Sequence, residues 1–410
     1  MNREQENFSK QQPQTFGKRF NTRLIHGGKP FVSEAREVII PIYTTSTFRQ
    51  KSFSDHSGYG YARGQNPTRE AAETLVADLE NAAYGFGFSS GMAAIDAALH
   101  VFSSGDTVLV LGNVYGGTDG LFRAVYENFG IHGREIIVED TGISGDYQKK
   151  VLEAVKAAVT TEVKGIYFET PSNPTLAVLD MEEIVDTAKK YGLVTIVDNT
   201  FSSPYIQKPL DFGIDIVVES ATKYLGGHSD LIAGFAVTNR EDLAQKISSA
   251  QHLAGGILPP FDSYLLVRSI KTLSVRLDRQ VENAVKLVRF LEENDAVDLV
   301  HYPGLPADPG YAIQRKQARN GGAMFSFLLN QRYDVGTFLD SLQIFTDGAS
   351  LGGVESLIGH SASTSHRGVP EEQRQKLGIL DNLIRVSPGI EDGEDLVADF
   401  QQAFARARKE

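Results

Sequence analysis

The chain has 410 residues, which is long for a single hydrophobic core and predicts two domains. Its hydrophobic share of 41% and charged share of 22% are ordinary for a soluble globular protein. A formal net charge of -12 argues against nucleic acid or an anionic membrane surface as a partner. The sequence has no cysteine, which excludes disulfides, thiolate metal sites and a cysteine nucleophile.

Residues 1–65 are predicted to form an N-terminal tail and an arm. The tail, up to about Phe20, lacks the apolar run of a secretory signal. No stretch of the chain approaches the roughly 20 apolar residues that span a bilayer. Residues 21–64 are rich in Thr, Ser, Gly and Tyr, which predicts an extended arm. We therefore expect a cytoplasmic protein without a membrane partner.

Residues 66–258 alternate between apolar runs and helical patterns. The apolar runs, which predict strands, begin at Thr107, Glu135, Val163, Leu193 and Ile214. The helical patterns cover residues 68–81, 91–102, 117–129, 146–159 and 181–191. β-branched runs without polar alternation are typical of strands buried on both faces, and their alternation with helices predicts a mostly parallel α/β sheet. Ligands of such sheets bind beyond the carboxyl ends of the strands, so the residues after each run are the candidate site.

Residues 259–410 are predicted to form a smaller α+β domain. Apolar positions at helical spacing predict one long amphipathic helix over residues 261–294. Shorter strands and helices follow, and a helical pattern over residues 395–408 ends the chain. The sequence shows no internal repeat.

A lysine follows the apolar run that begins at Ile214. Ser220 and Thr222 stand at alternate positions before Lys223, so both hydroxyls could face one anion. An amine beside phosphate-binding hydroxyls is what pyridoxal 5′-phosphate (PLP) requires of a protein. The alternative is an ordinary lysine in a surface loop.

The run that begins at Leu193 ends in a carboxylate, Asp198. A carboxylate at the end of a buried strand is costly unless it meets a positive partner, and the protonated pyridine nitrogen of PLP is such a partner. The alternatives are a helix cap or a Mg²⁺ ligand.

Three further loops supply groups that would suit the same cofactor. Ser90, Gly91 and Met92 lead into a helix, whose N-terminal amides favour a phosphate, although a plain serine cap explains them as well. Glycines after Tyr115 leave its ring free to lie over a flat cofactor, or the ring simply packs in the turn. Asn173 stands between prolines and could donate to a ring oxygen or only shape a turn.

Through these residues and motifs, the chain resembles the Cys/Met-metabolism PLP enzymes of fold type I. The resemblance extends from about Arg23 to the C-terminus. The stretch SATKYLGGHSD over residues 220–230 carries the most specific match. The resemblance implies a PLP-dependent transferase fold, in which Lys223 holds PLP and Asp198 pairs with its pyridine nitrogen. It further implies that Tyr115 stacks on the ring and that Asn173 contacts the ring hydroxyl. The implied phosphate contacts are Ser90, Gly91, Met92, Ser220 and Thr222.

The stretch YARGQNPT over residues 61–68 resembles the arm motif of that family. The resemblance implies that Tyr61 and Arg63 reach the phosphate of a neighbouring subunit, in a dimer that pairs into a homotetramer with shared active sites. From the sequence alone, a solvated surface arginine is the preferred interpretation of Arg63.

Two stretches near the C-terminus resemble the substrate-binding segments of the family. Arg385 matches its carboxylate-binding arginine, because a guanidinium can grip an α-carboxylate bidentately, or it pairs with a structural carboxylate. In SLGGVESL, which begins at Ser350, the resemblance implies that Ser350 orients the substrate carboxylate and Lys223. Glu355 would face the distal amine of a substrate such as cystathionine, or only brace its loop.

The implied reaction is γ-elimination or γ-replacement on a sulfur amino acid or O-acyl-homoserine, without a metal. Lys223 would move the protons, and Tyr115 would assist as an acid or base. Glu355 favours a cystathionine γ-synthase or γ-lyase, whereas Gly60 stands where those enzymes usually carry an acid. Gly117 stands where methionine γ-lyases typically carry cysteine. An O-acetylhomoserine sulfhydrylase or methionine γ-lyase is the alternative, followed by a PLP-binding protein without turnover.

Overall fold

A computed structural model describes residues 17–28, 36–138, 146–364, 366–367 and 369–409. Parts of the predicted tail and arm, residues 1–16 and 29–35, lie outside the described residues. The strands are β1 (Tyr84–Phe88), β2 (Thr107–Leu111), β3 (His132–Ile136), β4 (Val163–Glu169), β5 (Val194–Asp198), β6 (Ile216–Glu219), β7 (Gly234–Thr238), β8 (Val297–His301), β9 (Phe325–Leu329), β10 (Thr346–Asp347), β11 (Leu357–His360) and β12 (Leu383–Ser387).

The α-helices are α1 (Phe20–His26), α2 (Pro67–Leu79), α3 (Gly91–Leu99), α4 (Gly116–Ala124), α5 (Tyr147–Ala158), α6 (Met181–Tyr191), α7 (Ser203–Ile206), α8 (Glu241–Ala254), α9 (Pro260–Ile270), α10 (Leu273–Glu292), α11 (Tyr311–Gln317), α12 (Val335–Ser341), α13 (Glu371–Lys376) and α14 (Gly393–Ala407). Short 3-10 turns lie at Tyr126–Phe129 and Pro209–Phe212.

The larger sheet has the strand order β1-β7-β6-β5-β4-β2-β3 over the described residues. Strands β6, β5, β4, β2 and β3 run parallel, and β7 joins them antiparallel with β1 at the edge. The predicted class, α/β with a mostly parallel sheet, is therefore confirmed. Because β6, β5, β4 and β2 are consecutive in the sheet, the loops after them meet at one edge.

The second sheet has the order β10-β11-β12-β9-β8 and is mainly antiparallel. Helices α10, α12 and α14 pack beside it around an aromatic core. The rings of Phe338 and Phe404 stack there with centroids 4.7 Å apart, and Phe327, which contacts both, is fully buried. A second sheet with its own helices agrees with the predicted α+β region, while the boundary at residue 258 stays a prediction.

Several element predictions were wrong in detail. The predicted helix over residues 261–294 is two helices, α9 and α10, which meet at Lys271 and Thr272. Arg276 lies at this break: its Nη2 donates to the Ser269 carbonyl at 3.1 Å and its Nε donates to the Thr272 hydroxyl at 3.2 Å.

Other differences concern strand ends and short strands. The strand predicted from Glu135 begins at His132. Its first three residues are exposed, so the apolar pattern used for the prediction begins only after the strand has started. The helix predicted over residues 117–129 ends at Ala124 and continues as a 3-10 turn. Strands β1 and β7 were not predicted, because glycine-containing runs such as YGFGF resemble turns in sequence.

Gly234 allows the end of β7 to pack against the turn that begins α3. A Cβ at this position would lie 2.1 Å from the Ser90 carbonyl oxygen and 2.7 Å from the Gly91 Cα. Both neighbours are backbone atoms, so a side chain at residue 234 would displace the turn that carries Ser90.

We predict that Gly234→Ala lowers the free energy of unfolding by about 1–3 kcal/mol, as overpacking of a tight contact does. Gly256→Ala is the matched control, because its Cβ would meet nothing nearer than 3.6 Å. Chemical denaturation of the two variants, followed by circular dichroism, tests the difference. Equal stability of both variants would contradict the role of Gly234.

Candidate active site

The candidate residues meet where the carboxyl ends of the parallel strands face the second sheet. Loops after β2, β4, β5 and β6 come from the larger sheet, and β12 with the segment before β11 comes from the smaller one. Contacts across this junction include the hydroxyl of Ser326, which donates to the Pro174 carbonyl at 2.7 Å. The site is therefore built by both parts of the chain.

Lys223 is the partly buried amine of this junction. Its Nζ donates to the hydroxyl of Ser350 at 2.8 Å, across 127 residues of sequence. Burial and the nearby Arg385 guanidinium lower the pKa of Lys223 to about 8, and Asp198 opposes this effect. The amine can therefore be neutral within reach of ordinary pH, as a nucleophile or base must be.

Ser350 holds an unusual backbone conformation beside Lys223. Its φ of 101° lies in a region that residues other than glycine seldom adopt. The loop is anchored on both sides: the Ser350 carbonyl accepts from Arg385 Nη2 at 3.1 Å, and the Gly352 amide donates to Ser387 at 2.8 Å. Strained residues persist where surrounding contacts determine them, which is typical of functional sites.

Arg385 projects from β12 towards the same cluster. Its Nη1 donates to Asn173 Oδ1 at 2.9 Å and its Nη2 donates to the Ser350 carbonyl. Among the described residues, no carboxylate lies within ion-pair distance of Arg385. Burial lowers its pKa to about 10. A guanidinium bound only by neutral oxygens is suited to receive an anion.

Asp198 ends β5, as predicted. Its Oδ1 accepts the Thr200 amide at 3.0 Å, and the Tyr167 hydroxyl lies 3.5 Å from its Oδ2. Burial raises the pKa of Asp198, whereas hydrogen bonds from Thr200 and the charge of Lys223 act in the opposite direction. A carboxyl in this setting would gain from a cationic partner.

The predicted phosphate contacts come together around the N-terminus of α3. Ser90 caps the helix, accepting the Ala93 amide at 3.1 Å. Gly91 lies against Ser220, whose hydroxyl would be 2.9 Å from a Cβ on that glycine. The first amides of a helix have no acceptor within the helix, so they and the Ser220 hydroxyl can serve one phosphate. Thr222 lies in the same loop as Ser220, with its hydroxyl 3.2 Å from the Ala233 carbonyl.

Tyr115 begins α4 with a half-exposed ring. The ring folds back over Gly117: a Cβ there would lie 2.5 Å from Tyr115 Cε1 and 2.9 Å from Met92 Sδ. The Tyr115 amide donates to Glu169 Oε1 at 2.5 Å. A half-exposed aromatic ring is suited to stack on a flat ligand.

Sequence reasoning did not select Glu169 and Tyr167, which the structure places beside Asp198. Glu169 ends β4 and is in register with Asp198 of β5, and Tyr167 is fully buried. The sequence pattern that selected Asp198 was also present for Glu169, because both are carboxylates at the end of a buried strand.

Tyr61 and Arg63 do not join the Lys223 cluster within one chain. Arg63 donates to the His252 carbonyl and lies 5.7 Å from the Tyr61 ring, which is half exposed. The buried Arg69 shapes this arm, because its guanidinium donates to the Ala62 carbonyl at 2.8 Å and the Gly64 carbonyl at 2.6 Å. Glu355 is exposed and accepts from Ser229 at 3.3 Å.

Taken together, these groups fit PLP. The cluster offers an amine of lowered pKa, a strand-end carboxyl, a half-exposed aromatic ring, and a helix N-terminus with an adjacent serine. These are the parts of a PLP-dependent enzyme, with a further guanidinium for a carboxylate substrate.

The comparisons with known proteins agree with this class. The sequence model of the Cys/Met metabolism PLP-dependent enzyme family matches residues 21–405, and the chain belongs to that family. Cystathionine beta-lyase of Lactococcus lactis subsp. cremoris (strain MG1363) is 46% identical, over 94% of this chain and 98% of the relative. Cystathionine gamma-lyase of Bacillus subtilis (strain 168) is 44% identical, over 93% of this chain and 98% of the relative.

A solved structure also matches over nearly the whole chain. Cystathionine gamma-lyase from Lactobacillus plantarum, complexed with L-serine, superposes with a TM-score of 0.89 at 43% identity, covering 95% of this chain and 99% of that one. The predicted family, fold class and cofactor are confirmed. The chain is a PLP-dependent enzyme of sulfur amino-acid metabolism, while the roles assigned to single residues stay predictions.

The described residues, 17–28, 36–138, 146–364, 366–367 and 369–409, contain neither a membrane-spanning helix nor a cluster of metal ligands. Within those ranges, no helix combines the length and apolar character needed to cross a membrane. Nor do the described side chains form a group of three or more His, Asp or Glu that could hold a metal ion.

The electrostatics around Lys223 generate a pH prediction. In protein freed of cofactor, the neutral amine reacts with added PLP, so the rate should rise with pH through the pKa of about 8. Arg385→Met removes a charge that lowers this pKa and should move the midpoint to higher pH. Asp198→Asn removes a charge that raises it and should move the midpoint to lower pH.

The rate of yellow colour formation against pH measures these midpoints. Arg385→Lys is the matched control, because it keeps the positive charge and should keep the midpoint closer to that of the unaltered protein. Identical midpoints for Arg385→Met and the unaltered protein would refute the electrostatic argument.

Proposed function

We propose that the enzyme acts at the γ carbon of cystathionine or an O-acyl-homoserine, as a cystathionine γ-lyase or γ-synthase, with Lys223 as its proton-transfer group. The observation that carries the proposal is the pairing of two groups: the Lys223 amine held by Ser350, and the Arg385 guanidinium without a carboxylate partner among the described residues. One group suits proton transfer and the other suits an α-carboxylate.

Arg385 would bind and orient the substrate. A guanidinium grips a carboxylate through two parallel hydrogen bonds, which would replace its present contacts with Asn173 and the Ser350 carbonyl. Because Ser350 contacts both Arg385 and Lys223, the bound carboxylate would place the α-carbon near the amine. Asn173 would then be free to contact the ring hydroxyl of the cofactor.

Lys223 would remove the α proton and return it at a later step. Bound PLP supplies an electron sink for the charge left at the α-carbon. Asp198 would keep the pyridine nitrogen protonated, which strengthens that sink. Ser350 would hold the amine in position between transfers, and Tyr115 would stack on the ring and assist the leaving group.

Cleavage at the β carbon is a second candidate. The relatives at 46% identity in Lactococcus are named cystathionine beta-lyase, and removal of the α proton by a lysine serves either cleavage. Exposed Glu355, held by Ser229, would support binding of a distal amine in both cases. Product analysis separates the two.

A borohydride experiment and a substrate panel test the proposal. We expect a yellow protein in which borohydride fixes PLP to Lys223, and loss of this adduct in Lys223→Ala with at least about a hundredfold loss of activity. Cystathionine should yield cysteine, 2-oxobutanoate and ammonia; homocysteine and pyruvate would indicate β cleavage. O-acetyl- and O-succinyl-homoserine with cysteine or sulfide complete the panel, and no turnover of any member would refute the substrate class.

We further propose a homotetramer built from dimers that share active sites, located in the cytoplasm. The support is the exposed Tyr61 and partly buried Arg63 on an arm that Arg69 holds in shape, away from this chain's own Lys223 cluster. Cell fractionation tests the location and sedimentation tests the assembly.

Mixing two inactive variants tests whether the active sites are shared. Arg63→Ala and Lys223→Ala should each lose activity, because one lacks the arm contact and the other lacks the amine. If the arm crosses subunits, a denatured and refolded equimolar mixture should recover about a quarter of the normal activity, since half of the dimers contain one intact site of two. No recovery, with dimers reformed, would place Arg63 in its own subunit's site.

A further inference from the structure

Glu169 occupies a central place that the proposed mechanism does not use. It is the last residue of β4 and is only 5% exposed. In the parallel pairing of β4 with β5, it stands directly beside Asp198. Register partners on neighbouring strands direct their side chains to the same face of a sheet, so the two carboxyls share one pocket.

The Glu169 carboxyl lies between two loops. Its Oε1 accepts the amide of Tyr115 at 2.5 Å, and the backbone amide of Asn173 is near enough to act against the rise in the pKa of the same carboxyl. One loop follows β2 and the other follows β4 itself. The side chains of these two residues are the proposed contacts for the cofactor's ring face and ring hydroxyl.

Removing this carboxyl would leave the Tyr115 amide without its acceptor. Tyr115 has no side-chain cap at the start of α4, so its amide contact with Glu169 is what anchors that turn to the sheet. An amide left without an acceptor in a buried place costs about 1–3 kcal/mol, which a small rotation of the turn would relieve. Such a rotation would tilt the Tyr115 ring.

The surroundings of the carboxyl disfavour a negative charge on it. Burial and the neighbouring Asp198 raise the pKa of Glu169 well above its ordinary value, while the two amides act in the opposite direction. The hydrogen bond from the Tyr115 amide needs only an oxygen acceptor, which a neutral carboxyl also provides.

We propose that Glu169 is a positioning residue, which sets the orientation of Tyr115 and Asn173 around the cofactor ring through their backbone amides. This inference rests on the proposed function, because it assigns those two residues to the ring. In this role the functional group of Glu169 is its oxygen acceptor, and a negative charge is not required.

A matched pair of variants tests the acceptor. Glu169→Gln keeps the side-chain length and an oxygen acceptor, whereas Glu169→Met keeps the length and removes the oxygen. The readouts are the visible circular dichroism induced in bound PLP, normalised to the PLP content, and kcat and KM measured separately. We expect Glu169→Gln to stay within about twofold of the unaltered enzyme, and Glu169→Met to lose most of the induced signal and about tenfold in kcat with little change in KM.

Each outcome decides one point. An unaltered induced signal and kcat in Glu169→Met would overturn the proposal, and so would equal damage in Glu169→Gln, because an oxygen acceptor would then not suffice. If Glu169→Met does not fold, as judged by thermal melting, Glu169→Asp replaces it: the carboxyl is drawn back by one methylene, and the induced signal should fall in the same direction. If the unaltered protein forms no borohydride adduct at Lys223, the proposed function fails instead, before Glu169 is tested.

Discussion

The structure depends on a positive charge held away from water at the junction of two sheets. Lys223 and Arg385 lie close enough for the guanidinium to lower the pKa of the amine, and Asp198 compensates only partly. This arrangement is electrostatically unfavourable without an anion, and it persists because Ser350 and Asn173 satisfy the donors. A protein that holds a lysine amine and an arginine guanidinium together in this way is prepared for ligands that bring negative charge.

The two sheets contribute different groups to the candidate site. Strand ends of the parallel sheet supply the groups that suit the cofactor, and the smaller sheet supplies the groups that suit the substrate, Ser350 and Arg385. Neither sheet contains a complete site. The relative position of the sheets therefore sets the distance between the Lys223 amine and the Arg385 guanidinium, which we propose to bind the substrate carboxylate.

Much of the candidate site could be predicted from the sequence, because most of its residues follow apolar runs directly. Lys223 and Asp198 are examples, and the same pattern at Glu169 was available but was not used. The strand pattern failed at β1 and β7, where glycine-containing runs also suit turns. The helix pattern failed at Thr272, where a buried arginine from the next turn donates to the groups at the break.

The sequence by itself determined the family, the cofactor and the stretch that contains Lys223, because these depend on residue types at short, constant spacings. Only the tertiary structure decided that Ser350 meets the amine across 127 residues and that Asn173 meets Arg385 across 212. It also decided that Arg63 lies against its own helix α8 in a single chain, and that the Glu169 carboxyl accepts the Tyr115 amide. Such contacts follow from how sheets and loops pack, and no local pattern of residues encodes that packing.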